Sequence, residues 1–365
     1  MQGRNNLTRI PQAFTLDPDI INRAYGEEAS LVRDILVFVA NKAIANFFSD
    51  VSFSLDEFCD AFNYNVNSMY RTLPKFIDCP KKELPIDDGH CFDGAFEYAL
   101  YKGFRISLVF NNKRFNGQFD KTNMLLFSRI QAVYKTTGRR EKRYYKIELD
   151  YRIKQWMLDG FFLIDQSLYS NIKIPRSLQF TGGLRSFYLY LGRVVSQIKQ
   201  KKMNGEAPHF VLSVDEAALI MDISMKRNDN RKQRVKKYLD KLIKFLGEKH
   251  FRYEFFKGDY QRYEYSIKLF VSDDTIQHYD DKLNTVFFNK LSKGVEIQYF
   301  KNFTDKQMLE FSKWSKNLSI IEKREITKWL FDQNSKTFSH VKKYFIEVFE
   351  NVFEVEYDGR FGEIK

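Results

Sequence analysis

The sequence predicts an α+β chain in which one unit, helices followed by a strand hairpin, occurs twice in tandem, with a helical region after the second copy. Three observations predict it. A helix-start signal recurs in FSLDEFCDAFNYNVNSMYRTLPKFI, from Phe53, and LSVDEAALIMDISMKRNDNRKQRVKKYLDKLIKF, from Leu212. An apolar-periodic stretch precedes each copy, and residues of alternating polarity follow each. The common order matters more than any single motif, because internal duplication reports architecture directly.

In each copy a Ser (Ser54, Ser213) is followed three residues later by Glu (Glu57, Glu216). At this capping-box spacing, hydroxyl and carboxylate each satisfy an orphan amide at a helix start. Each helix ends in a polar turn, near 63 to 65 and 222 to 224, and leads to a second helical stretch, which is helix-turn-helix spacing. SLVRDILVFVANKAIANFF and RSFYLYLGRVVSQIKQ supply the upstream helices. Downstream of the second copy, HFRYEFFKGDYQRYEYSIKLFVSD alternates across Gly258-Asp259, a hairpin signal. FRISLVF and MLLFSRIQAVYKTTGRREKRYYKIELD supply strands after the first copy, flanking a longer, more basic tip at Thr136 to Arg143. Three helices and a two-stranded wing make a winged helix. The expected organisation is an N-terminal arm at 1–30, extended because of Pro11 and Pro18, winged-helix domains at 31–172 and 173–272, and a small C-terminal helical domain at 273–365.

Composition narrows the function. With 365 residues the chain is long enough for two or three domains. Its 44% hydrophobic content and 36 Phe exclude wholesale disorder. A net charge of +12 suits a polyanionic partner. Cys59, Cys79 and Cys91 are odd in number and irregular in spacing, which argues for a reducing compartment. The start lacks a signal peptide's apolar core, and no run approaches the ~18 apolar residues of a membrane helix. A cytoplasmic protein with no membrane partner is expected.

The charge is concentrated and sorted. From Lys226 to Lys244 nine Lys or Arg face two Asp. On a helix from Asn230 to Leu246, Val235, Leu239, Leu242 and Leu246 form one stripe, with Ile243 beside it. Arg234, Lys237, Lys241 and Lys244 lie within about 80° of one another on the opposite face. Such a face suits phosphates flanking the major groove. Lys226, Arg227, Asn228, Asn230 and Arg231 precede or open the helix, where Arg can bridge guanine O6 and N7 and Asn adenine N6 and N7. With Lys232, Arg234, Lys237 and Lys241 they form this copy's candidate DNA-binding set. The first copy's equivalent helix, NVNSMYRTLPKFI, is limited by Pro74, which costs ~3 kcal/mol inside a helix. Asn67, Ser68, Arg71 and Lys75 are its candidates. The wing tips add Arg139, Arg140, Lys142 and Arg143 in the first copy, and Lys257 and Arg262 in the second.

The stretch YYKIELDYRIKQWML, then FFLIDQSLYSNIKI, then LRSFYLYLGRVV joins a wing strand to a helix opening at Arg185-Ser186. Across roughly residues 30 to 272, the chain resembles the tandem winged-helix initiator proteins of theta-replicating plasmids, where a Ser-x-x-hydrophobic-x-Leu-Tyr helix begins the second domain. Here the order is Ser186-Phe187-Tyr188-Leu189-Tyr190, which is shifted from that pattern. The resemblance implies an initiator that binds direct repeats at an origin as a monomer and, as a homodimer, represses its own promoter. It does not cover residues 273–365.

No catalytic motif is expected. The five His are scattered without His-x-His, and a Gly-x4-Gly-Lys-Ser/Thr loop is absent, so helicase activity would come from a host replication partner. Cys79, His90 and Cys91, with Asp87 and Asp88, match no tetrahedral zinc spacing. The pairs Asp87-Asp88, Asp273-Asp274 and Asp280-Asp281 read as caps and linker residues. No cofactor or metal is expected. Two alternatives stay open: a transcriptional regulator with the same reading heads and palindromic sites, and a tyrosine recombinase-like strand-transfer enzyme using His340, Lys343 and Tyr344 or Tyr357.

Overall fold

The computed structural model describes residues 7–276, apart from 18, 46–49, 88, 114–118, 138–139, 160, 174–177, 224–230 and 258–264. The chain opens with β1 (Leu7–Pro11), α1 (Ala13–Leu16), α2 (Ile20–Tyr25), the long α3 (Ala29–Ala45), β2 (Val51–Ser54), α4 (Leu55–Phe62) and α5 (Val66–Tyr70). It continues through β3 (Ile86–Asp87), β4 (His90–Cys91), α6 (Ala95–Arg105), β5 (Leu108–Lys113), β6 (Phe119–Met124), β7 (Phe127–Thr137), β8 (Arg140–Leu149), α7 (Tyr151–Asp159), β9 (Phe161–Asp165) and α8 (Gln166–Asn171). Then come α9 (Leu178–Met203), β10 (Phe210–Ser213), α10 (Val214–Ile220), α11 (Arg231–Leu246), β11 (Phe251–Lys257) and β12 (Tyr265–Val271). The class is α+β with small antiparallel sheets.

Two of the sheets share one topology. β2-β8-β7 and β10-β12-β11 are three-stranded antiparallel sheets of the same order, a short edge strand followed by a hairpin whose second strand lies in the middle. Each edge strand ends at an N-cap serine, with Ser54 opposite Tyr144 and Ser213 opposite Ser266. The first capping box is complete: Glu57 N donates to Ser54 Oγ at 3.2 Å, and Ser54 N to Glu57 Oε2 at 2.9 Å. In the second, Glu216 N donates to Ser213 Oγ at 3.0 Å, while the Glu216 carboxylate accepts from Tyr190 of α9 at 3.0 Å. Both helices end at the same offset from their serine in a left-handed residue, Asn63 (φ 56°) or Asp222 (φ 53°). Asn and Asp tolerate that region better than other side chains do.

Aromatic rings fill the first core. Phe38 meets Phe53 at 4.9 Å and Phe58 at 5.4 Å, and Phe96 meets Phe58 at 4.9 Å and Tyr145 at 5.0 Å. The second core is smaller-grained, with Leu212, Ile220, Met221, Val235, Leu239, Leu242 and Ile267 buried.

Two expectations change. The N-terminal segment is not an extended arm from Leu7 onward: β1 pairs with β9, Ile10 opposite Phe162, and Phe14, Ile20, Ile21 and Tyr25 are buried. Its strand partner lies far along the sequence, so local pattern could not reveal the pairing. FRISLVF does not flank the basic tip either. Phe104 and Arg105 end α6, and Leu108 to Phe110 open β5, which pairs with β6 as a separate hairpin. The expected helices DKQMLEFSKWSKNLSIIEKREITKWLFD and SHVKKYFIEVFENVFE lie outside the described residues. Among those described, no helix is long and apolar enough to cross a membrane.

One buried polar site joins the repeated units. Asp34 of α3 and Arg185 of α9 form an ion pair with side chains 0% and 3% exposed. Tyr64 and Tyr169 donate to the Asp34 carboxylate at 2.6 and 2.7 Å. Arg185 also donates to the Ile172 and Ser170 carbonyls at 3.0 and 2.8 Å. Burial, and then the Asp34 charge, push both phenols well above the usual tyrosine range, so they remain donors. Arg185→Leu strands the carboxylate and is expected to cost about 3–5 kcal/mol, read as a fall in urea midpoint. The double substitution Asp34→Leu, Arg185→Leu costs less than Arg185→Leu alone, because it leaves no buried charge unpaired.

Candidate nucleic-acid interface

RKQRVKKYLDKLIKFL is rich in strong helix formers, and α11 stops at Gly247 (φ 99°), whose amide donates to the Ile243 carbonyl at 2.7 Å. Val235, Tyr238, Leu239, Leu242 and Ile243 are buried. Arg234, Lys236, Lys237, Lys241 and Lys244 are exposed. The separation of apolar and basic faces read from the sequence is present, with Leu246 half-buried at its end.

The first turn of α11 is used differently. Arg231 is paired with Asp215 of α10, its side chain only 13% exposed. Lys232 Nζ lies 3.5 Å from the Tyr265 ring centroid and 5.1 Å from that of Phe255, and Lys257 Nζ is 5.4 Å from Tyr265. Arg231 and Lys232 clamp the start of α11 to α10 and to the β11–β12 hairpin, while Lys257 stacks within the hairpin itself. Farther along, Asp240 accepts from Lys236 at 2.7 Å and from Tyr253 of β11 at 2.5 Å, a second tie between helix and hairpin. Within α11, the solvent-exposed cations therefore begin at Arg234 rather than at Arg231. Asp215 and Tyr265 were missed because each is far from its partner along the chain, and no spacing signals the contact.

Lys226, Arg227, Asn228, Asn230, Arg139 and Arg262 lie outside the described residues, as do His340, Lys343, Tyr344 and Tyr357. Arg140 begins β8, and Lys142 is exposed near the same hairpin end. Arg143 turns inward instead: its guanidinium is 3.0 Å from Glu97 and stacks 4.7 Å over Tyr70.

In the first unit, the segment expected to match the basic helix yields only the five-residue α5. Asn65 caps it, accepting from the Asn67 and Ser68 amides at 2.9 and 3.3 Å. Arg71 is extended, and Pro74 opens a separate short turn, as its fixed φ and the restriction on the preceding residue require. Asn67, Ser68 and Arg71 are exposed. Lys75 is engaged, 2.5 Å from Glu28 and 4.1 Å over the Tyr98 ring. The helix that packs on α3 and β7 as α11 packs on α9 and β11 is α6. Its cations are neutralised, Lys102 by Glu28 at 2.5 Å and Arg105 by Asp87.

Among the described residues, no three His, Cys, Asp or Glu side chains gather as a metal site would require. His90 Nε2 faces Glu97 at 3.6 Å, and burial, followed by the charges of Asp93 and Glu97, raises the Cys91 thiol above its ordinary value.

Glu97 is 2% exposed and accepts from Tyr145 at 2.7 Å. Burial opposes its charge, yet His90, Tyr145 and Arg143 together hold the carboxyl below the usual range. A carboxyl depressed in the folded state stabilises above its unfolded pKa, and the benefit is lost as pH falls through the folded value. Glu97→Gln is therefore expected to unfold at lower urea than the parent near neutral pH. The gap should narrow as pH is lowered below about 4.

Comparison with protein-family models finds no match, and comparison with curated proteins finds none. Among solved structures, the crystal structure of Pi initiator protein in complex with iteron DNA is distantly similar, at 9% identity and a TM-score of 0.43. The similarity covers 74% of this chain and 100% of that one.

Proposed function

We propose that the chain is a non-enzymatic, sequence-specific double-stranded DNA-binding protein that initiates replication of a plasmid-like element, with its two repeated units acting as winged helices. One observation carries the reading: the exposed basic face of α11, separated from its buried stripe and held at a set angle to the β11–β12 hairpin by Lys232–Tyr265 and Asp240–Tyr253. A solvated helix gains nothing from concentrating cations on one side, whereas condensed counterions released from phosphates supply a large favourable term. Arg234, Lys237 and Lys241 position the helix on the backbone, and the Arg/Asn-rich segment before it, with Arg227 foremost, reads bases. The protein acts as a monomer on direct repeats and as a homodimer at its own promoter, with unwinding supplied by a host helicase.

Selection of bound fragments from a random duplex pool tests the reading. A directly repeated site is expected. A palindrome alone would move the reading to a transcriptional regulator, and covalent adducts on a nicked duplex would move it to a strand-transfer enzyme. Lys237→Ala is expected to weaken all duplexes alike and to lower the slope of log affinity against log salt by about one. Arg227→Ala is expected to relax base preference, at about 1–3 kcal/mol on the selected site. Full retention of binding by both variants, measured by fluorescence anisotropy across a salt series, would refute the assignment.

A further inference from the structure

Where the chain leaving α8 meets the second half of α11, a cleft of about 200 Å³ opens between Ile172, Leu184, Leu242 and Phe245. Lys173, Lys241 and Lys244 also line it. Phe245 is 43% exposed, a large ring at the margin of a helix face otherwise given to charge. Lys173 Nζ is anchored on the Asn63 carbonyl at 2.7 Å, while Lys241 and Lys244 form no ion pair among the described residues. Pockets for free small molecules span roughly 300–1,000 Å³, so this cleft is sized for one large side chain rather than a cofactor.

We propose that the cleft docks an acidic segment of a partner protein. One large apolar or aromatic side chain enters between Leu184, Leu242 and Phe245, and flanking carboxylates meet Lys173, Lys241 and Lys244. The inserted side chain is the hot spot that supplies affinity, and the carboxylates supply orientation and encounter rate. A duplex offers phosphates to the lysines, but its apolar thymine methyls lie in the major groove and cannot enter the floor of the cleft as a free side chain can. Lys241 also belongs to the face assigned to phosphate, so segment and duplex compete. That consequence rests on the DNA-binding reading, whereas the docking does not.

The test is selection of a random peptide library displayed on phage against the full chain. The expected peptides carry one large apolar residue flanked by Asp or Glu, and duplex DNA displaces them. Phe245→Ser should weaken them by about 30-fold and Lys173→Glu by about tenfold. Both variants should keep the parent circular dichroism spectrum, and Phe245→Ser should keep the parent duplex affinity. The proposal is overturned if enrichment shows no acidic bias, or if the peptides bind both variants as tightly as the parent. It is overturned equally if Phe245→Ser dissolves a homodimer, because a second copy is then the occupant. Peptide capture of the expected kind without any duplex binding would uphold the cleft and sink only the DNA-binding reading.

Discussion

The pairing of Asp34 with Arg185 sets the terms for the rest of the molecule. Neither charge reaches water, and the surrounding groups all serve them: Tyr64 from the turn after α4, Tyr169 from α8, and the carbonyls of Ser170 and Ile172. A buried ion pair is weak evidence of net stability, because desolvation consumes most of the attraction. Its effect here is on geometry. The long helix of the first unit, the turn that precedes α5, the connection through α8 and the long helix of the second unit all converge on one carboxylate. None can shift far without leaving a charge or a carbonyl unsatisfied in a low-dielectric interior.

Much of this was legible in local sequence, and the illegible parts share a cause. Ser54 with Glu57 and Ser213 with Glu216 marked helix starts because a cap acts across three residues. The spacing of Val235, Leu239 and Leu242 marked a buried stripe because helical periodicity is local. Pairings across long chain separations were silent: β1 with β9, Arg231 with Asp215, Lys232 with Tyr265, Arg143 with Glu97. Hence the N-terminal segment read as an arm, and three cations that serve as internal ties read as outward-facing contacts. In the first unit Pro74 was correctly identified as a break, but the helix matching α11 lay beyond it, at α6.

The two units handle charge differently. In α6 each cation meets an acid supplied by another element, Glu28 for Lys102 and Asp87 for Arg105. In α11 Arg231 meets Asp215 and Lys232 rests on the Tyr265 ring, but Arg234, Lys241 and Lys244 are left facing solvent without an ion pair among the described residues. A uniform repeat would have given two equivalent basic faces. The result is polarised, with outward charge concentrated on the second unit's helix and aromatic packing on the first.

Gly183 gives the second unit a different kind of constraint. A Cβ there would collide with the Met221 carbonyl oxygen and the Tyr238 ring, so α9 meets the turn and α11 with only a hydrogen between them. Sliding α9 by one residue toward Leu184 would drive that side chain into the space that only hydrogen fits, while Gly182 on the other side carries no side chain to clash. The register between the long helix and the pair of helices it carries is thus keyed by exclusion, as a notch fixes the seating of a lock. The angle at which α11 stands is set by what cannot fit at Gly183 as much as by the contacts that hold it.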